Sequence, residues 1–397
     1  MTADRSREAE TALGARAPDH RPSRLWRSNT VRIAITGGGS GGHVFNALSL
    51  AERLRMDHGA EVTFIGSADG QEARLVPEAG YVFHAVHVEK MVRELSPRTL
   101  RAPIVALRSV GEARRWVAGR DAVVGMGGYV SAPAVIAARR TRIPVVLHEQ
   151  NAVPGLANRL LAWGAAAAGL TFADAAGRLP RRLRTVVTGN PVRDQIRAVL
   201  GARDTLAAEA VRAFDLDPTR RTVLVTGGSQ GALHLNEAVI GLVDVLGHRA
   251  DLQLLVSTGS THLATVEQAL RARRPLQIHA FGFIERMDLA YAAADLAVAR
   301  AGANTVTELT VCGVPSILVP YPHATENHQE ANARELVRVG AAEILHDSAM
   351  TPEVLASRIE AALGDRPRLT AMREAAVGWA KPDADRRLSE LVVGVAV

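Results

Sequence analysis

The 397-residue sequence contains one cysteine, Cys312. No intramolecular disulfide can form, and such a chain fits a reducing cytoplasm. Aromatic residues make up only 4% against 47% hydrophobic residues overall, so the cores must be built from Ala, Val, Leu and Ile. No apolar run approaches the ~20 residues needed to span a bilayer. The longest candidate, LLAWGAAAAGLTF, reads as a buried helix. The opening residues MTADRSREAE carry mixed charge and no apolar core, which argues against a secretory signal. An RNA-binding signature, a Cys/His finger and a basic strand interleaved with aromatics are also missing, so nucleic acid is not expected as a partner.

What is present points to an α/β protein. At roughly 100–200 residues per domain, the length predicts two domains. Residues 1–30 are polar and aperiodic and read as a disordered tail. From Val31 the run VRIAIT, the loop GGGSGGH and the helical NALSLAERLRMDHG follow one another, then VTFIG, a helix over Glu72–Ala79 and YVFHAVHV. DAVVGMGG and PVVLHEQN are further strands that end in polar or Gly-rich loops. Such alternation predicts a mainly parallel sheet covered on both faces. The pattern restarts about 190 residues later, at TVLVTGGSQGALHLNEAVIGLVDVL, and LQLLVSTG, LQIHAFGF, LAVAR and SILVPY follow as strands. The expected organisation is an N-terminal domain over 31–190, a second over 191–366, and a charged helical segment over 367–397 with the option of packing back on the first. Ligands of open parallel sheets bind beyond the carboxyl ends of the strands, and every polar cluster of interest lies at such an end.

Five clusters could carry chemistry. GGGSGGHVFNA, Gly37 to Ala47, combines glycines that admit a phosphate or an acceptor with the free N–H groups of a helix start. Gly37, Gly39 and Gly42 also match a dinucleotide fingerprint, but VTFIG ends without a ribose-binding carboxylate and no G-K-[ST] is present. His43 begins the helix, whose dipole favours a neutral imidazole; a general base and a merely structural histidine both remain open. In HEQNAVPGLANR, His148 or Glu149 could act as a base, while Asn151 and Pro154-Gly155 are also turn formers. In GGSQGALHLN, backbone N–H groups and Ser229 can cradle a diphosphate. In ARAGANTVTEL, Glu308 in a first helical turn can accept from both ribose hydroxyls, although Thr305 and Glu308 also have capping-box spacing. The run VPYPHATENHQEANAREL offers His323, His328 and Gln329, which suit sugar hydroxyls better than a metal because no compact set of three ligands is evident.

Seven segments in order, GGGSGGH, GMGGYVSAP, HEQNAVPGLANR, GNPVR, GGSQGA, GFIERM and the run from ARAGANTVTEL to ENHQEANA, resemble the motifs of one family. These are the lipid II synthases, the MurG family of undecaprenyldiphospho-muramoylpentapeptide β-N-acetylglucosaminyltransferases in glycosyltransferase family 28. The resemblance implies a GT-B fold, two Rossmann-like doubly wound domains facing across a cleft, the N-terminal one an acceptor domain and the second a UDP-sugar-binding domain. It implies inverting transfer of N-acetylglucosamine from UDP-N-acetylglucosamine, the co-substrate, to the muramoyl 4-hydroxyl of lipid I, giving lipid II in peptidoglycan synthesis. By position, His43 is the preferred base, with Glu149 or His148 as the alternative. Gly39, Ser40, Gly41 and Gly42 form the acceptor diphosphate loop, and Asn151, Arg193, Ser229, Ile284, Glu308 and Gln329 bind the donor. No cofactor or essential metal is expected. Asn46 stands where the family usually has proline, Ala132 replaces a glycine, Ala301 a serine and His328 a glutamine, and His87–Ser96 is the least family-like stretch. A paralogous UDP-sugar transferase of an antibiotic pathway and a UDP-N-acetylglucosamine 2-epimerase are the alternatives.

A lipid acceptor requires a membrane surface. Lys90 to Arg120 carries eight basic residues with Ile104, Val105, Leu107, Val110 and Trp116 between them. That pattern suits an anionic membrane or an ordinary amphipathic helix, and the family's peripheral attachment favours the first. The expected location is the cytoplasmic face of the cell membrane, with other cell-wall synthesis proteins as candidate partners.

Overall fold

The computed structural model describes residues 30–38, 41–88, 97–228, 231–271 and 276–397. In the N-terminal lobe the chain forms β1 (Arg32–Thr36), α1 (Gly41–His58), β2 (Glu61–Ser67), α2 (Glu72–Glu78), β3 (Val82–Val86), α3 (Pro97–Val117), β4 (Ala122–Gly125), α4 (Ala132–Arg140), β5 (Val145–Glu149), α5 (Leu156–Leu161), β6 (Ala167–Leu170) and β7 (Arg184–Val187). In the C-terminal lobe follow α6 (Asp194–Ala213), β8 (Arg221–Thr226), α7 (Leu233–Leu246), β9 (Leu252–Ser257), α8 (Leu263–Arg271), β10 (Gln277–Phe281) and α9 (Met287–Ala293). The chain continues with β11 (Leu296–Ala299), α10 (Ala303–Val311), β12 (Ser316–Leu318), α11 (His328–Arg338), β13 (Ala342–Ile344), α12 (Pro352–Gly364), α13 (Arg366–Trp379) and α14 (Ala384–Ala396).

The strands form two parallel sheets, in the orders β3-β2-β1-β4-β5-β6-β7 and β10-β9-β8-β11-β12-β13. Strand order reverses between β1 and β4 in the first sheet and between β8 and β11 in the second. These switch points open the crevices where such folds bind ligands. Side-chain alternation divides each core in two. Ile33 and Ile35 face α1 through Leu50 and Leu54, whereas Ala34 and Val123 face the opposite layer with Val110, Val117 and Val135. In the second sheet Leu224 packs with Ile196, Tyr291 and Leu309, while Val223 and Val225 pack with Val239, Leu242 and Ile359.

The last helix crosses back to the first lobe. Leu388, Leu391 and Val392 of α14 are buried in the same cluster as Ile33, Leu50 and Val124. Asp385, 2% exposed, accepts from Arg53 Nε of α1 at 3.1 Å and from Arg197 Nη1 of α6 at 2.9 Å. A buried carboxylate is costly unless paired; here one carboxylate ties together helices from both lobes and the C-terminal return.

This return corrects one expectation. LLAWGAAAAGLTF is not a single helix: α5 ends at Leu161, a short 3-10 turn spans Ala162–Gly164, and Ala167–Leu170 is strand β6 between β5 and β7. A Cβ on Gly169 would lie 2.7 Å from Leu388 Cδ1. Gly169 thus leaves room for α14, and a short apolar run of small residues does not distinguish helix from strand by periodicity.

Leu388 is fully buried. Leu388→Ala should lower the unfolding free energy by about 2–5 kcal/mol, measured by denaturant titration. A loss below about 1 kcal/mol would show that α14 is not part of this core.

Candidate active site

The first site wall is the corner between β1 and α1. Its loop touches the loop after β4, where Gly127 and Gly128 have φ of +97° and +77°. These values favour glycine, and space is also limiting. A Cβ on Gly127 would lie 3.2 Å from His43 Nε2, and one on Gly128 would lie 2.9 Å from the Gly38 carbonyl oxygen. GMGG thus makes room for the imidazole, a role that its Gly pair signalled and that motif reading alone did not assign. Gly41, Gly42 and His43 open α1. Gly39, Ser40 and Ser229 lie outside the described residues.

His43 Nε2 lies 2.9 Å from Gln150 Nε2. Burial lowers the His43 pKa to about 4, although the residue stays half-open to the cleft. It is therefore neutral at physiological pH, the form that can accept a proton.

The alternative bases are placed differently from the expectation that HEQN faces the cleft. His148 and Glu149 are the last two residues of β5 and are 1% and 3% exposed. His148 Nε2 contacts the Gly189 carbonyl oxygen at 3.2 Å. Glu149 Oε1 accepts from the Asn151 backbone N–H at 2.9 Å, and Oε2 accepts from the Gly155 N–H and from Asn158 Nδ2 at 3.1 and 2.8 Å. Burial pushes the Glu149 carboxyl up, and these hydrogen bonds oppose the rise. The carboxylate shapes the turn that presents Gln150 and Asn151. Only those two of the four polar residues stand at the lobe junction.

The second wall belongs to the C-terminal lobe. Glu308 does not sit in the first turn of α10. It is the sixth residue of that helix, whose N-cap is Gly302 with no side-chain cap, so the capping-box reading fails. Glu308 Oε2 accepts from the Tyr291 hydroxyl at 2.9 Å, and Oε1 lies 3.7 Å from Arg193 Nη2. Burial raises its pKa, while the Arg193 charge and the Tyr291 hydroxyl oppose the rise. The Arg193 guanidinium also lies 5.1 Å from the ring centroid of Phe45 on α1, within cation–π range. Arg193 thus spans the cleft from the one helix to the other.

Ile284 is 2% exposed and belongs to the core with Leu289 and Tyr291. Gln329 Oε1 accepts from the Tyr321 N–H at 2.9 Å and so holds the loop after β12. That loop is strained: Glu326 and Asn327 have φ of +53° and +54°, a region that costs a non-glycine residue roughly 1–2 kcal/mol. Arg159 of α5 pairs with Glu326, anchoring the loop to the other lobe. Asn332, fully buried, accepts from the Ala152 N–H at 2.9 Å and donates to Asn151 Oδ1 and the Ala301 carbonyl, both at 3.1 Å. Phe45, Asn190, Tyr291 and Asn304 complete the junction with Asn332; single-residue chemistry does not mark these four, because their partners come from distant segments.

The membrane-facing pattern of Lys90 to Arg120 needs adjustment, and its residues 90–96 and the side chains of Ile104 and Val105 lie outside the described ones. Val110 is buried and Trp116 stacks on His84 at 3.9 Å, so these face inward on α3, while Leu107 is 69% exposed. Arg120 pairs with Glu61. Among the described residues no group of three or more His, Cys, Asp or Glu could hold a metal ion, and no helix is long and apolar enough to cross a membrane.

Burial also lowers the His148 pKa to about 4, opposed by the Gly189 contact and assisted by the charge of His43. Between pH 6.5 and about 4 the unfolded chain then binds a proton that the folded chain refuses. The stability contributed by neutral His148 is complete above that window and is lost as pH falls through it, by roughly 3 kcal/mol. Thermal denaturation of His148→Gln should show a shallower pH dependence across this window than the parent; equal slopes would show that His148 protonates normally in the folded protein.

Comparison with known proteins bears on the fold and the family. The glycosyltransferase family 28 N-terminal domain model matches residues 33–170, and the family 28 C-terminal domain model matches residues 222–388. The UDP-N-acetylglucosamine–N-acetylmuramyl-(pentapeptide) pyrophosphoryl-undecaprenol N-acetylglucosamine transferase of Halothermothrix orenii is 38% identical over 92% of this chain and 99% of its own. The transferase of the same name from Acidothermus cellulolyticus is 40% identical over 91% and 97%. The crystal structure of Acinetobacter baumannii MurG superposes with a TM-score of 0.73 at 33% identity, covering 92% of this chain and 99% of that one. The fold is GT-B, and the chain belongs to glycosyltransferase family 28, within its family of UDP-N-acetylglucosamine–N-acetylmuramyl-(pentapeptide) pyrophosphoryl-undecaprenol N-acetylglucosamine transferases.

Proposed function

We infer that this glycosyltransferase moves N-acetylglucosamine from UDP-N-acetylglucosamine to the 4-hydroxyl of the muramoyl sugar of lipid I, with inversion, giving lipid II. One observation carries the reading: Asn304, one turn before Glu308 on α10, donates Nδ2 to the Gly42 carbonyl at 3.2 Å, which brings the helix that holds the Glu308–Arg193 pair to the start of α1 and the neutral His43.

In the proposed mechanism the 4-hydroxyl oxygen attacks the anomeric carbon as the bond to the UDP oxygen breaks. His43 takes the hydroxyl proton, and UDP leaves with the bonding pair. The starts of α7 and α10, with the Gly loop after β8, stabilise the charge growing on the diphosphate. Ribose hydroxyls would replace the Tyr291 and Arg193 contacts of Glu308, so donor binding would release Arg193, whose guanidinium also lies against Phe45 of the other lobe. Gln329, Asn151 and the backbone at Ile284 orient the sugar and base, which reduces the entropic part of the barrier.

Access to a lipid acceptor calls for peripheral attachment at the cytoplasmic face of the membrane. Exposed Leu107 and Arg108 on α3 support attachment through this helix. Leu107→Asp should reduce co-sedimentation with anionic vesicles while leaving the fold intact; binding that ignored both the substitution and the anionic lipid fraction would refute attachment through α3.

The function itself is tested by radiolabel transfer from UDP-N-acetylglucosamine to a short-chain lipid I analogue. The parent should form labelled lipid II, and His43→Ala should lose about 10²–10⁴-fold in turnover while still binding donor. The same assay should proceed in chelator, since no metal is assigned a role. Conversion of the donor to its C2 epimer without acceptor would favour an epimerase, and donor binding without transfer would point to another acceptor.

A further inference from the structure

Asn46, at 3% exposure on α1, sits at the centre of a polar cluster. Its Nδ2 lies 2.7 Å from Asn190 Oδ1, 3.0 Å from Asn304 Oδ1 and 3.3 Å from Gln150 Oε1. Asn190 Nδ2 donates to Asn304 Oδ1 at 2.9 Å, and Asn304 Nδ2 donates to the Gly42 carbonyl at 3.2 Å. Gln150 Nε2 then lies 2.9 Å from His43 Nε2.

One anchor determines the orientation of every amide in this set. A backbone carbonyl can only accept, so Asn304 must turn Nδ2 towards Gly42 and Oδ1 towards Asn46 and Asn190. Asn46 must therefore present Nδ2. Its two hydrogens serve three acceptors, so one is shared. Facing that donor, Gln150 must present Oε1 to Asn46 and Nε2 to His43. A donor aimed at His43 Nε2 requires a lone pair there, which leaves the ring proton on Nδ1. Reversing Gln150 alone would set its N–H group against that of Asn46.

We propose that Asn304, Asn46 and Gln150 form an amide relay across the lobes that holds His43 as the Nδ1–H tautomer, with its Nε2 lone pair bound by Gln150. The lowered pKa of His43 agrees with a neutral ring. Asn304 stands four residues before Glu308 on α10, so a ligand that shifts α10 shifts the anchor of the relay. Asn46 and Asn304 act as positioning residues. In the arrangement described, Gln150 must release Nε2 before that nitrogen can take a proton. This consequence for catalysis rests on the transfer reading; the tautomer assignment does not.

The test is imidazole ¹⁵N–¹H correlation spectroscopy at neutral pH on the full-length, ¹⁵N-histidine-labelled protein, with His43 identified by the signal lost in His43→Gln. The parent should show a pyrrole-type Nδ1 and a pyridine-type Nε2. In Gln150→Glu the new carboxylate still accepts from Asn46 but can only accept from the ring, so the proton should move to Nε2. In Asn46→Asp the donor at the centre of the relay is gone, and His43 should lose its single tautomer, with kcat falling more than the KM for UDP-N-acetylglucosamine rises. An Nε2–H tautomer in the parent overturns the proposal, as does retention of Nδ1–H in both variants. Should Asn46→Asp fail to fold, the half-buried Gln150 position decides alone. A parent with the expected tautomer that transfers nothing to lipid I analogue would leave the relay standing and remove the acceptor reading.

Discussion

The site depends on a contact between two helix beginnings. α1 starts at the end of β1 in one sheet and α10 starts after β11 in the other, and the Asn304 side chain joins them through the Gly42 carbonyl. Both strands lie at the switch points of their sheets. A single hydrogen bond of this kind contributes only ~1 kcal/mol net. Its importance lies in position, because it brings the ends of two separately built α/β sheets to one place. Arg193, set between Glu308 and the Phe45 ring, and Asn332, bonded to residues 151, 152 and 301, hold the same junction from either side.

Polar groups buried between two lobes are costly unless satisfied, and an amide network is stable only when each member has a partner of the right kind. The cluster around Asn46 meets that condition by using asparagine and glutamine, which both donate and accept. Ionic pairs flank this cluster, at Arg193–Glu308 and Arg159–Glu326, and join the C-terminal return, where Asp385 meets Arg53 and Arg197. Charge thus fixes how the C-terminal helix returns, while neutral amides connect the start of α1 to the start of α10. Neutral contacts need less desolvation to form and break than a buried ion pair, which suits a junction that must admit a nucleotide-sugar.

Much of this was legible in the sequence. The alternation of apolar strands with Gly-rich loops and helices implied two parallel sheets, and each chemistry-bearing cluster was correctly placed near a strand end. Strand β6 is hidden in a run of small residues, of which Gly169 answers to the proximity of α14, a contact made by a residue more than 200 positions away. A polar run at a strand end suggests side chains aimed at a cleft, but His148 and Glu149 are buried, and Glu149 serves the turn that follows. The local context of Glu308 suggests a cap, which the helix boundary does not support. Asn46 was noticeable only as an unusual residue. Its meaning required Asn190, Asn304 and Gln150 to be brought beside it, and no local pattern encodes such a meeting.

The central claim is that the two lobes act on His43 through one connected set of amides. A double-mutant cycle on kcat/KM for sugar transfer, using Asn46→Ala, Asn304→Ala and the double variant, tests it most directly. The account predicts strong non-additivity, with a coupling energy of about 0.5–3 kcal/mol, because either substitution alone already breaks the connection. Losses that simply add would show that Asn46 and Asn304 act independently, and would contradict it.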